Sequence, residues 1–164
     1  MPSTSRLLWM FAALLAVALV AWVEVGRLLD PKAVLVAPLD SGCDLRKGAC
    51  AAVFPDGSRV AFEIRPHHIP PVEKLKLSVR TEGMDVHQVE VDFSGADMNM
   101  GFNRVSLESI GPGEHGGIGM LPVCVRARMT WEAKVLLYTD AGLLAAPFRF
   151  DTYLPGRGPR PPYQ

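Results

Sequence analysis

The chain has 164 residues, with 17 Lys and Arg balanced by 17 Asp and Glu and 49% hydrophobic content. Balanced charge with scattered basic residues lacks the electrostatic footprint of a nucleic-acid binder, so no nucleic-acid partner is expected. The length, less an apolar N-terminus, suits one domain with its own core rather than two.

Residues 1–6 carry Arg6 and precede an uninterrupted apolar run from Leu7 to Val23 (LLWMFAALLAVALVAWV). A bilayer is spanned by about 17–25 apolar residues, and a buried core helix should show a polar face that this run lacks. Residues 7–23 are therefore expected to form a transmembrane helix. The one clear small-x-small triplet, Ala16-Val17-Ala18, lies inside the run, and Trp22 and Glu24 occupy the place where cleavage would fall, so an uncleaved signal anchor is favoured over a cleaved signal peptide. Arg6 and the amino terminus form the positive flank, whereas Glu24, Arg27, Asp30 and Lys32 mix both signs. The positive-inside rule then leaves residues 1–6 in the cytoplasm. Residues 24–32 become a linker, and the remainder lies on the periplasmic face of a cell inner membrane.

From residue 33 onward, short apolar runs alternate with polar residues. Val60, Phe62 and Ile64 do so, then Leu75, Leu77 and Val79, then Val89, Val91 and Phe93. Period two sets one face of each strand on a core and the other in water. The longest run is 126–135, with Ala127, Met129, Trp131, Ala133 and Val135 on one face and Trp131 as its expected core centre. Phe148 and Phe150 mark a closing strand. Pro55-Asp56-Gly57 predicts a hairpin turn. Pro66, Pro70 and Pro71 break the chain before the next strand because proline lacks a ladder donor. Gly111-Pro112-Gly113 and Gly116, Gly117 and Gly119 predict a long loop. About seven short strands with frequent turns suggest an all-β, immunoglobulin-like β-sandwich over residues 33–153, followed by a Pro/Gly-rich, extended tail at 154–164.

Cys43, Cys50 and Cys124 all follow the anchor, hence in an oxidising compartment. Cys43 and Cys50 are expected to close a small disulfide loop. A bridge to Cys124, a metal-ligand pair, or a thiol-disulfide protein cycling Cys43 and Cys50 are the competing readings. Cys-x6-Cys matches no zinc or thioredoxin spacing. A free Cys124 is either a buried small hydrophobe or a ligand.

The chemistry-bearing stretch is Ser94 to Asn103, SGADMNMGFN, read with Met120-Leu121-Pro122-Val123-Cys124. Asp97, Asn99 and Asn103 are turn formers, so Met98 and Met100 are poor core residues, and in an extended segment their thioethers share a side. With Met120 and Cys124 they make a candidate soft-sulfur site for copper(I), and His115 or His87 is a candidate imidazole ligand. Such a site requires a fold that brings the two segments together. The competing reading makes the methionines gap-filling side chains. No elbow serine, phosphate-binding glycine loop or acid/base carboxylate pair appears, so an enzyme is not expected.

The anchor, the small β-domain, the Met-Asn-Met-Gly segment, the Gly-rich loop leading into Met120 to Cys124 and the Met129-Thr130-Trp131 strand together resemble the membrane-anchored extracytoplasmic proteins of the FixH-like and YtkA-like groups. The resemblance spans Leu75 to Leu137. It implies an immunoglobulin-like domain and a role in copper handling or respiratory oxidase assembly, with a membrane metalloenzyme or its assembly machinery as partner. Met98, Met100 and Trp131 are the positions that would carry it. The cysteine pair and Cys124 depart from the pattern. A second reading is an interaction module that the anchor holds against a membrane complex, without metal.

Overall fold

The computed structural model describes residues 4–29, 35–98, 101–122 and 126–153, with side chains of the first stretch described over 9–22. The chain divides into two compact units, 1–32 and 33–164.

The first unit holds helix α1, Thr4–Leu29. Its apolar side chains stand exposed, Trp9 and Trp22 at 77% and 84%. Among the described residues, which cover only part of α1's side chains, no helix is long and apolar enough to cross a membrane.

The described residues of the second unit form a nine-stranded sheet. Its strands are β1 (Leu35–Val36), β2 (Cys50–Val53), β3 (Arg59–Arg65), β4 (Leu75–Glu82), β5 (Gln88–Gly95), β6 (Arg104–Gly111), β7 (Glu114–Gly119), β8 (Arg128–Thr139) and β9 (Gly142–Tyr153). The order across the sheet is β1-β9-β8-β5-β6-β7-β4-β3-β2. The ladders are antiparallel apart from β1 on β9. β6 pairs with β5 through residues 104–107 and with β7 through 108–111, which joins the two halves into one continuous sheet. The rings of Phe62 on β3 and Phe148 on β9 lie 5.5 Å apart, although their strands stand near opposite ends of that order. The sheet therefore curls into a half-barrel around one apolar core.

The period-two runs form the expected strands. Val60, Phe62, Ile64, Leu75, Val89, Val91 and Phe93 are fully buried. Trp131 is buried as expected, and its Nε1 donates to Thr152 Oγ1 at 2.9 Å, which satisfies an indole N–H that would otherwise be costly to bury. The Pro55–Gly57 turn closes β2 on β3, with Phe54 N–H donating to Ser58 O at 2.9 Å.

Three expectations are revised. Among the described residues the strands number nine rather than about seven, because the two-residue β1 and the glycine-bearing β7 escape the alternation pattern. The glycines at 116, 117 and 119 lie on β7 instead of in a long loop; only Pro112 and Gly113 turn the β6–β7 hairpin. These glycines reflect close approach, since a Cβ on Gly117 would meet Leu107 Cδ2 at 2.6 Å and one on Gly119 would meet Leu77 Cδ1 at 3.0 Å. Finally, β8 starts at Arg128, leaving Ala127 exposed in a bend, and runs on to Thr139. Beyond Val135 its alternation is hidden: Leu136 packs on the opposite face with Leu143 and Ala145, so consecutive residues are buried. The tail, 154–164, lies outside the described residues.

Gly113 has φ +67°, and a Cβ there would lie 2.8 Å from the Thr81 carbonyl oxygen, whereas Gly57 (φ +85°) faces open space. Gly113→Ala is expected to destabilise the protein by about 2–3 kcal/mol and Gly57→Ala by about 1 kcal/mol. Urea denaturation of both variants checks this, and equal losses would contradict the close approach.

Candidate functional site

β5 and β7 both deliver their C-terminal ends to the same rim of the half-barrel. The connection that leaves β5 carries Met98 and Phe102, and the segment that leaves β7 carries Met120. Several backbone bonds fix these segments. Ala96 N–H donates to Thr130 O at 3.0 Å, Phe93 N–H to Asn103 O at 2.8 Å, and Val72 N–H to Leu121 O at 2.8 Å. The two segments touch directly: Asn103 Nδ2 donates to the Met120 carbonyl oxygen at 3.0 Å. Leu121 is fully buried, so it anchors the second segment to the core while Met120 stays outside. Met98, Met120 and Phe102 are 37%, 51% and 80% exposed. The Arg104 guanidinium lies 4.9 Å from the centre of the Phe102 ring and also approaches Asp92 (3.4 Å) and Glu90 (3.7 Å).

The fold thus brings the Met98 and Met120 segments to one rim. Met100 and Cys124 lie outside the described residues. The histidines are placed elsewhere. His115 is the second residue of β7 and Met120 follows that strand's last residue, so about 16 Å of extended chain separates them at ~3.3 Å per residue. His87 precedes β5, whereas Met98 follows it, and its Nε2 is engaged at 2.7 Å by Asp140 Oδ1. Neither imidazole belongs with the thioethers, because a strand holds its two ends apart. Met129, 3% exposed, is a core residue. Among the described residues, no group of three or more His, Cys, Asp and Glu side chains is placed to hold a metal ion.

Cys43 and Cys50 form a disulfide, with their Cα atoms 5.7 Å apart. The loop between them is internally bonded, Lys47 N–H to Asp44 O at 2.8 Å and Arg46 N–H to Asp44 Oδ1 at 3.0 Å, and it inserts the fully buried Leu45 into the core. This bridge ties the entry of the domain to the edge strand β2.

The sequence places His115, a candidate imidazole ligand, in a glycine-rich loop, whereas the structure places it on β7. It faces the core of the half-barrel opposite Val79, is 5% exposed, and its buried Nδ1 has no protein partner. The glycines of β7 carry no side chains and so conceal the alternation that would have revealed its inward orientation. Burial pushes the His115 pKa below its ordinary value.

No protein family, curated protein or solved structure matches this chain.

The unfolded chain takes up a proton at His115 near pH 6.5, while the folded protein resists it. This contribution to stability is full above about pH 6.5 and is lost as pH falls through the lower folded-state value. In metal-free protein, stability is expected to drop between pH 7 and pH 5, by at most about 1.4 kcal/mol per pH unit from this group. His115→Gln should flatten that slope. Urea midpoints measured across the range check it, and an unchanged slope in the variant would assign the acid sensitivity to other groups.

Proposed function

We propose that the β-domain binds or delivers copper(I) through a thioether-bearing rim, with Met98, Met100 and Met120 as ligands and Cys124 as a thiolate. The observation that carries this reading is the Asn103–Met120 hydrogen bond at 3.0 Å, which holds the two sulfur-bearing segments side by side. Thioether and thiolate donors favour a soft monovalent cation over the harder divalent ions. Partial exposure of Met98 and Met120 suits transfer, since a partner site can reach a ligand that a closed cage would conceal. The apolar run of α1 serves as the membrane anchor, and the domain acts as an extracytoplasmic accessory to a membrane metalloenzyme or its assembly machinery. The facing halves of the sheet support classing the domain as a variant of the immunoglobulin-like sandwich.

A second reading draws on Phe102. At 80% exposure beside Met98 and Met120, it gives the rim an apolar surface of the kind that docks a protein partner. In this reading the methionines are contact residues rather than ligands.

Anaerobic titration of the protein with copper(I) against a competing chelator separates the two. Stoichiometric binding is expected, weakened at least tenfold by replacing Met98, Met100 and Met120 with Leu together. Equal affinity in wild type and variant would exclude the thioether site. Loss of partner co-purification in Phe102→Ser, with copper affinity unchanged, would favour docking.

A further inference from the structure

The opposite end of the half-barrel holds a second constellation. The β4–β5 connection and the β6–β7 turn meet there over a cavity of about 280 Å³ lined by Thr81, Met84, Asp85, Ser109, Gly113 and His115, among others. Two neighbouring hydroxyls are already bonded: Thr81 Oγ1 donates to Gly113 O at 3.4 Å and Ser109 Oγ to Gly111 O at 3.5 Å. His115 differs from them. It is 95% buried and its Nδ1 has no protein partner, and the residue lines both this cavity and a second one shared with Phe62, Val79 and Ile110. A buried polar atom of this kind ordinarily has a partner, whether protein, water or an ion. Met84 is half-buried, packs on the core, and lines the same cavity.

We infer that this cavity is a second binding site, taking one soft monovalent cation of the copper(I) type between His115 Nδ1 and the Met84 thioether. A neutral imidazole and a thioether are soft to borderline donors that suit such an ion and offer little to magnesium or calcium, which take oxygen ligands. The cavity's position reinforces this. Gly113 cannot accept a side chain without meeting the Thr81 carbonyl, so the β6–β7 turn is held against β4 and the His115 backbone is fixed in place. Met84, on a connection rather than in a strand, supplies the adjustable ligand. Exposed Asp85 at the same cavity adds a negative charge that attracts a cation. The site shares no residue with the thioether rim, and β7 separates the two.

The test uses the full-length chain in detergent with silver(I), the air-stable analogue of copper(I), as the probe. A background carrying Met98→Leu, Met100→Leu, Met120→Leu and Cys124→Ser removes the sulfur ligands of the rim. In that background, ¹³C-methyl methionine and ¹⁵N-histidine spectra are expected to show the Met84 methyl and the His115 ring shifting together and saturating at one equivalent of silver(I). Met84→Leu, which keeps the side chain's bulk, should weaken binding at least tenfold while leaving the remaining spectrum in place. His115→Gln should do the same. A Met84 methyl that does not move under excess silver(I) would mean that water alone fills the cavity, and the inference would fail. Unchanged affinity in Met84→Leu would overturn it equally, even if the histidine variant does not fold.

Discussion

The structure depends on β6 being shared. Its first half completes the ladder with β5 and its second half the ladder with β7, with a register irregularity between Ser109 and Gly111. Two separate sheets would each expose additional edge strands, whereas a single sheet bent through one strand leaves, among the described residues, β1 and β2 at its ends. The bend requires β7 to lie close to β6, and Gly117 permits this because Leu107 occupies the space a side chain would need. Curling then brings β3 across to β9, where Phe62 and Phe148 meet and close the core. Burial of the side chains gathered there supplies the main driving force for this unit.

The same bend decides where chemistry can occur. Strands hold their two ends apart, so each functional group belongs to one rim or the other. Met98, Phe102 and Met120 gather at one rim; Met84, Asp85 and His115 gather at the other. Among the described residues, the outer face between them carries polar pairs. Tyr138 OH donates to Glu90 Oε2 at 2.8 Å, and Arg104 bridges Glu90 and Asp92. Asp151 on β9 is partly buried, which raises its pKa, but hydrogen bonds from Arg128 and Thr130 outweigh this and hold the carboxyl below its ordinary value. More exposed pairs such as Arg80–Glu114 add little to stability, because water screens them and two long side chains must be ordered. Arg104 does more than pair: its guanidinium against Phe102 orients an exposed ring at the thioether rim.

The strands with clean alternation were legible from their residues alone. Val60 to Ile64, Leu75 to Val79, Val89 to Phe93 and Met129 to Val135 each place apolar side chains at every second position, and half-burial on a sheet is the one environment that demands this. The spacing of Cys43 and Cys50 likewise pointed to a local staple, since a short loop keeps two thiols near each other. Alternation failed where its physical basis was absent. β7 carries glycines in place of side chains, and β8 beyond Val135 is buried on both faces.

What the sequence by itself determined was the all-β class, the principal core residues and the Pro55–Gly57 turn, and it favoured a Cys43–Cys50 bridge that the structure then showed, because each follows from contacts between residues near in the chain or from a repeating pattern along it. The tertiary structure decided the rest. That β6 serves two ladders, that Met120 comes to lie beside Asn103, and that His115 turns inward to a cavity shared with Met84 are matters of pairing between distant strands. No local pattern encodes such pairings; they follow from how the whole sheet must bend to bury its apolar face.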